Sequence, residues 1–180
     1  MTPHTFHPFK DRLSRDIRNR LSKALMVTLD LGNLGAVSRI ADEFLHQDIA
    51  PLYHEYIRSR LDRYQKSLEM IIESDYHSPF FQALVLWDQE LFFEVHERLE
   101  EIWMKSQGAE RLGLQAMIRA AGYYVHLAAG NGKGAEKMAQ KACPALLANR
   151  HALPSFPGFE RLMDRLRNRD PATVKLLAAP

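Results

Sequence analysis

The sequence predicts an all-α protein. Apolar residues recur at helical spacings of three and four along most of the chain, and no stretch shows the sustained period of two that a strand requires. Alanine, leucine, arginine and glutamate dominate, and all four favour helices. At 180 residues, 46% apolar and 26% charged, the chain fits one domain, or one domain with a helical extension.

Each element follows from its own pattern. Phe9, Leu13, Ile17, Leu21 and Leu25 step at four residues and predict a first helix, which "LGNLG" at Leu31–Gly35 interrupts. A second, shorter helix is expected from about Ala36 to His46, closed by "HQDIAP". Asp48 and Pro51 are placed to start the third. Tyr53, Ile57, Leu61, Tyr64, Leu68 and Ile71 form its apolar seam, to about Glu73; such a stripe is core or an interhelical contact. "SDYHSP" at Ser74–Pro79 is the best internal boundary, separating an N-terminal helical region 1–75 from a helical core domain 79–180. In the second part we expect a short apolar helix (Phe80–Leu86), a glutamate-rich helix at 89–105 near the centre of a compact bundle, and a helix from about Glu110 to Ala129. "GNGKG" makes a turn, a further helix runs to Pro144 or shortly past it, and Glu160–Asn168 closes the series.

The balance of 24 basic and 22 acidic residues argues against a nucleic-acid surface, and Arg12, Arg15, Arg18, Arg20 and Lys23 are interspersed with Asp11 and Asp16. One cysteine, Cys143, precludes an intrachain disulfide and a thiolate metal cluster. The first ten residues have no apolar signal-peptide core, and "FFQALVLW" is too short to cross a bilayer, so no membrane association and a cytoplasmic location are the default expectations.

"ELFFEVHERLEEIW", Glu90–Trp103, holds five glutamates and one histidine among apolar residues. Projected at about 100° per residue, Leu91, Val95, Leu99 and Ile102 share one face. His96 and Glu100 sit one turn apart, bracketed by Phe93 and Trp103. Glu90, Glu94, Glu97 and Glu101 fall elsewhere and are expected to face water. On the next helix Leu114, Ile118, Ala121 and Val125 form an apolar face, flanked by the line Gln115, Arg119, Gly122 and His126. If the two helices pack antiparallel, His96, Glu100, Gln115, Arg119 and His126 converge.

A carboxylate in such a pocket must be paired, protonated or metal-bound. In one solution Arg119 or His126 pairs with Glu100 and the network sets helix register. In the other, His96, Glu100 and His126 bind a divalent metal such as zinc or iron, leaving a position open for water. The spacing is HExxE rather than HExxH, so the metalloprotease arrangement is absent, and no Walker loop, dinucleotide fingerprint or GxSxG elbow occurs.

"LFFEVHERLEEIW" followed by "ERLGLQAMIRAAGYYVHLAAGNGKGA" resembles the small helical proteins of the family named domain of unknown function 309. The matching positions are Phe93, Glu94, His96, Glu97, Glu100 and Trp103, then Leu114, Gln115, His126, Gly130, Asn131, Gly134 and Ala135, within roughly Phe80 to Ala148. The resemblance implies an all-α fold that surrounds the motif helix and buries more of Glu94 and Glu97 than the projection allows. It implies no established activity. Ala116 departs from the usual glycine and Arg119 from glutamine, and an arginine there opposes a metal site by neutralising Glu97 or Glu100.

Structural ion pairs outnumber catalytic ones. The sequence therefore reads as a non-enzymatic module with a polar network drawn from Glu94, His96, Glu97, Glu100, Gln115, Arg119 and His126. It would act through a protein partner or self-association of its N-terminal helices. The competing reading is a divalent-metal-binding protein or metal-dependent hydrolase using His96, Glu100 and His126.

Overall fold

A computed structural model describes residues 5–178. Every regular element among them is helical, as the spacing predicts. The chain divides into two compact units, one ending at Asp75 and the other beginning at Tyr76.

The first unit holds α1 (Arg12–Leu31), α2 (Gly35–Leu45) and α3 (Pro51–Glu73). The apolar step at Phe9 predicts a slightly earlier start for α1, but the cap decides it. Asp11 Oδ2 accepts hydrogen bonds from the backbone N–H of Ser14 at 2.8 Å and the Ser14 hydroxyl at 2.6 Å, satisfying an otherwise orphaned helix donor. The Tyr53 hydroxyl donates to the same oxygen at 2.9 Å and ties the start of α3 to the start of α1. Gly32 ends α1 at φ 68°, a conformation that needs no Cβ. The α3 seam is core: Ile57 and Tyr64 have no exposed surface, and Tyr53, Leu68 and Ile71 are also buried.

The second unit is α4 (Pro79–Asp88), α5 (Phe92–Trp103), α6 (Gly108–Ala128), α7 (Gly132–Asn149), a 3-10 turn at Arg150–Ala152, and α8 (Phe159–Asn168). Ser78 caps α4 and Pro79 occupies its first turn. Consecutive helices pack in chain order, and α6 lies against both α5 and α7. Glu90 adopts φ 58°, so the acidic helix begins only at Phe92, two residues past the kink. Pro144 does not end α7. The helix continues for five more residues to Asn149, because Pro144 and Gln140 are exposed and water can solvate the carbonyl that lacks a partner.

After α8 the chain has no regular structure, yet Val174 and Leu176 are buried, Leu176 completely. This stretch, Pro171–Ala178, lies along the ends of α4, α6 and α8. No described helix is long and apolar enough to cross a membrane.

Candidate functional site

The periodicity of α5 places its core face as expected: Leu91, Val95 and Leu99 have no exposed surface. The acidic residues divide differently from the projection. Glu94, expected to face water, is completely buried, which agrees with the burial the family resemblance implies; Glu97 is half-buried. Arg98 is also buried and lies one turn along α5 from Glu94. Its guanidinium donates to Gln82 Oε1 from Nε at 2.9 Å and from Nη2 at 2.5 Å, and to Glu101 Oε2 from Nη1 at 2.6 Å. A buried charge needs such partners, since leaving it isolated costs several kcal/mol. Arg98, Gln82 and Glu101 thus form a polar network around a buried guanidinium, and the motif reading singled out none of them as a site residue. The available signal was a lone arginine in an otherwise acidic helix, three residues before Glu101.

His96, Glu97 and Glu100 meet on the half-exposed side of α5, each offering a ligand atom within 4.8 Å of the others. Glu100 lies one turn along α5 from both, four residues from His96 and three from Glu97. His96 Nδ1 lies 3.3 Å from Glu97 Oε1, and the imidazole is nearly parallel to the Phe93 ring at 6.4 Å. Glu100 makes no hydrogen bond or ion pair among the described residues. Two carboxylates at this separation repel by about 1–3 kcal/mol, depending on the effective dielectric. Among the described residues neither carboxylate forms an ion pair with a lysine or arginine, and Arg98 bonds Gln82 and Glu101. Arg119, expected to neutralise Glu97 or Glu100, forms no ion pair among the described residues.

Gln115, Arg119 and His126 occupy the half-buried flank of α6. The deepest face of that helix runs through Met117, Ala120 and Tyr123 rather than through Ile118 and Val125, which are only half-buried. His126 does not belong to the metal-competent group. Its ring is engaged locally. Asn131 Oδ1 accepts the Gly134 N–H at 2.9 Å, so its amide nitrogen faces His126 Nδ1, at 3.0 Å. Nδ1 is then the acceptor, and in the neutral ring the proton resides on Nε2, which becomes a donor rather than a ligand. Gly134 makes this possible: a Cβ there would lie 2.6 Å from His126 Nδ1 and 2.5 Å from Asn131 Nδ2.

Trp103, the last residue of α5, receives the Arg111 guanidinium 3.9 Å from its ring centroid. Arg111 Nη1 also donates to the Trp103 carbonyl at 3.1 Å and the Ser106 carbonyl at 3.3 Å, holding the α5–α6 turn.

An all-helical unit with an imidazole and two carboxylates on the open stripe of its acidic helix is the class of protein these features define. Residues 80–138, all within the second unit, match the family described as Domain of unknown function (DUF309). The match ends ten residues short of the span read from the motifs, and α1–α3 lie outside it. No curated protein and no solved structure matches the chain.

Proposed function

We propose that this protein acts by binding rather than by chemistry, and that its second unit holds a divalent cation through His96, Glu97 and Glu100. The supporting observation is the convergence of three ligand atoms within 4.8 Å, with no lysine or arginine ion-paired to Glu97 or Glu100 among the described residues. A cation about 2.0–2.2 Å from nitrogen and oxygen donors needs ligand atoms about 3–3.5 Å apart. Side-chain exposures of 36% for His96 and 33% for Glu97 leave room for the small rotations that close the difference. One imidazole with two carboxylates suits zinc, manganese or iron(II), and three protein ligands leave positions for water. His126 is turned to Asn131, so the His96–Glu100–His126 centre of a metal-dependent hydrolase is not the set proposed.

Zinc and manganese titrations by calorimetry and thermal unfolding test the reading. Binding to the folded state alone stabilises by about 2.7 kcal/mol at a hundredfold excess over Kd. Saturable binding is expected, weakened at least tenfold by His96→Ala and Glu100→Gln and unchanged by Glu101→Gln, whose carboxylate belongs to Arg98. No heat and no rise in Tm with zinc, manganese or iron(II), or equal binding by all three variants, sinks it.

A further inference from the structure

The segment Pro171–Ala178 is held mainly through its backbone, with two side-chain bonds besides: the Thr173 hydroxyl donates to Glu90 Oε1 at 2.8 Å and the Lys175 ammonium to the Asp88 carbonyl. Asp88, a buried carboxylate at the end of α4, accepts two successive amides: Leu176 N–H on Oδ1 at 2.6 Å and Leu177 N–H on Oδ2 at 3.1 Å. The Trp87 indole donates to the Val174 carbonyl at 3.0 Å, and the Gly158 N–H donates to the Leu176 carbonyl at 2.8 Å. Arg161 Nη2 donates to the carbonyls of Lys175 at 3.0 Å and Ala178 at 2.6 Å, and the Tyr124 hydroxyl to that of Ala172 at 3.3 Å. The side chains entering the groove are two: Leu176, fully buried, and Val174, 9% exposed. Pro171, Ala172, Thr173, Lys175 and Ala178 face outward.

This is how a protein recognises an extended peptide: main-chain hydrogen bonds supply affinity, and pockets for alternate side chains supply specificity. Backbone closeness is built in at Gly158, where a Cβ would lie 2.5 Å from Leu176 Cα and 2.6 Å from the Lys175 carbonyl. The connection to α8 is not relaxed. Arg169 sits at φ 54°, a left-handed conformation that costs a residue with a side chain about 1 kcal/mol or more. It is held there by its own guanidinium on the Leu166 and Arg167 carbonyls and by the Arg165–Asp170 ion pair beside it.

We infer that Trp87, Asp88, Tyr124, Gly158 and Arg161 form a binding site for an extended peptide with apolar residues two apart, and that Pro171–Ala178 is its resident, releasable ligand. The chain's own segment fits it, and in cis that segment enjoys an effective concentration in the millimolar range. The site is independent of the cation reading, since none of its residues belongs to the His96 cluster.

The test uses the full chain carrying Leu176→Asp, which places a charge in the groove and releases the resident segment. The probe is a fluorescent synthetic peptide, Asp-Pro-Ala-Thr-Val-Lys-Leu-Leu-Ala, the sequence from Asp170 to Ala178. The variant should melt below the parent, bind the peptide saturably, and recover its Tm on binding. Methylating the peptide nitrogen that corresponds to Leu176 should weaken binding at least tenfold, as should adding Asp88→Asn to the protein. The inference is overturned if the variant melts like the parent, if it folds but binds no peptide at millimolar concentration, if the methylated peptide binds equally, or if an unfolded variant is not rescued by the peptide.

Discussion

Gly134 shows how one residue's lack of a side chain organises a turn. Asn131 uses its carbonyl oxygen to cap α7 and its amide nitrogen to hold His126, and both groups sit where a Cβ on residue 134 would be. Gly134→Ala should therefore push Asn131 away and cost about 1–2 kcal/mol, the range of a lost cap. Urea unfolding measures it, and a variant within 0.3 kcal/mol of the parent, about the noise of independent sites, would show that the turn yields freely. Arg98 is the second residue whose role depends on partners. Arg98→Met keeps the volume but removes the bonds to Gln82 and Glu101. Breaking a buried polar set this way is expected to cost about 3 kcal/mol.

Among the elements, α1 carries the clearest pH signature. Burial pushes the Asp11 carboxyl up, but the bonds from Ser14 and Tyr53 outweigh it and hold the group below its ordinary value of 3.8. A lowered folded value means that the folded state binds the proton less readily than the unfolded chain. The stabilisation is then fully present above about 3.8 and is lost as pH falls through the folded value. Asp11→Ala should cost about 1 kcal/mol at pH 7, and the gap from the parent should narrow below pH 4. Denaturant unfolding at pH 7 and pH 3 reads this directly; a gap that widens in acid contradicts the capping account.

At the scale of the molecule, residues far apart in sequence close the second unit. The bonds from Asp88 and Trp87 to Leu176, Leu177 and Val174 span more than eighty residues. Burial raises the Asp88 carboxyl, only partly offset by the Leu176 and Leu177 amides, which shows how deeply the contact is enclosed. Gly158→Ala needs this backbone to move, so it should lower Tm by several degrees for a domain of this size. Gly132→Ala, with open space around its Cβ position, is the matched control.

Period and punctuation alone determine that this chain is helical, where most helices lie, and that α5 presents one apolar face. Those are local properties, set by side-chain spacing, caps and glycine turns within a few residues. The ordered motif from Phe93 to Ala135 likewise marked the family whose description residues 80–138 match. What a projection cannot supply is which neighbour covers the rest of a helix. It left Glu94 in water because the wheel shows no apolar residue beside it, whereas in the fold it is buried. It offered Arg119 or His126 to Glu100 and His126 also to a metal; in the fold the Asn131 amide lies against His126, and the buried Arg98 bonds Gln82 and Glu101, contacts that the one-helix view omits. The segment Pro171–Ala178 left only Val174 and Leu176, two residues apart, as a trace too short to read, since hydrogen bonds to main-chain atoms do not depend on residue type.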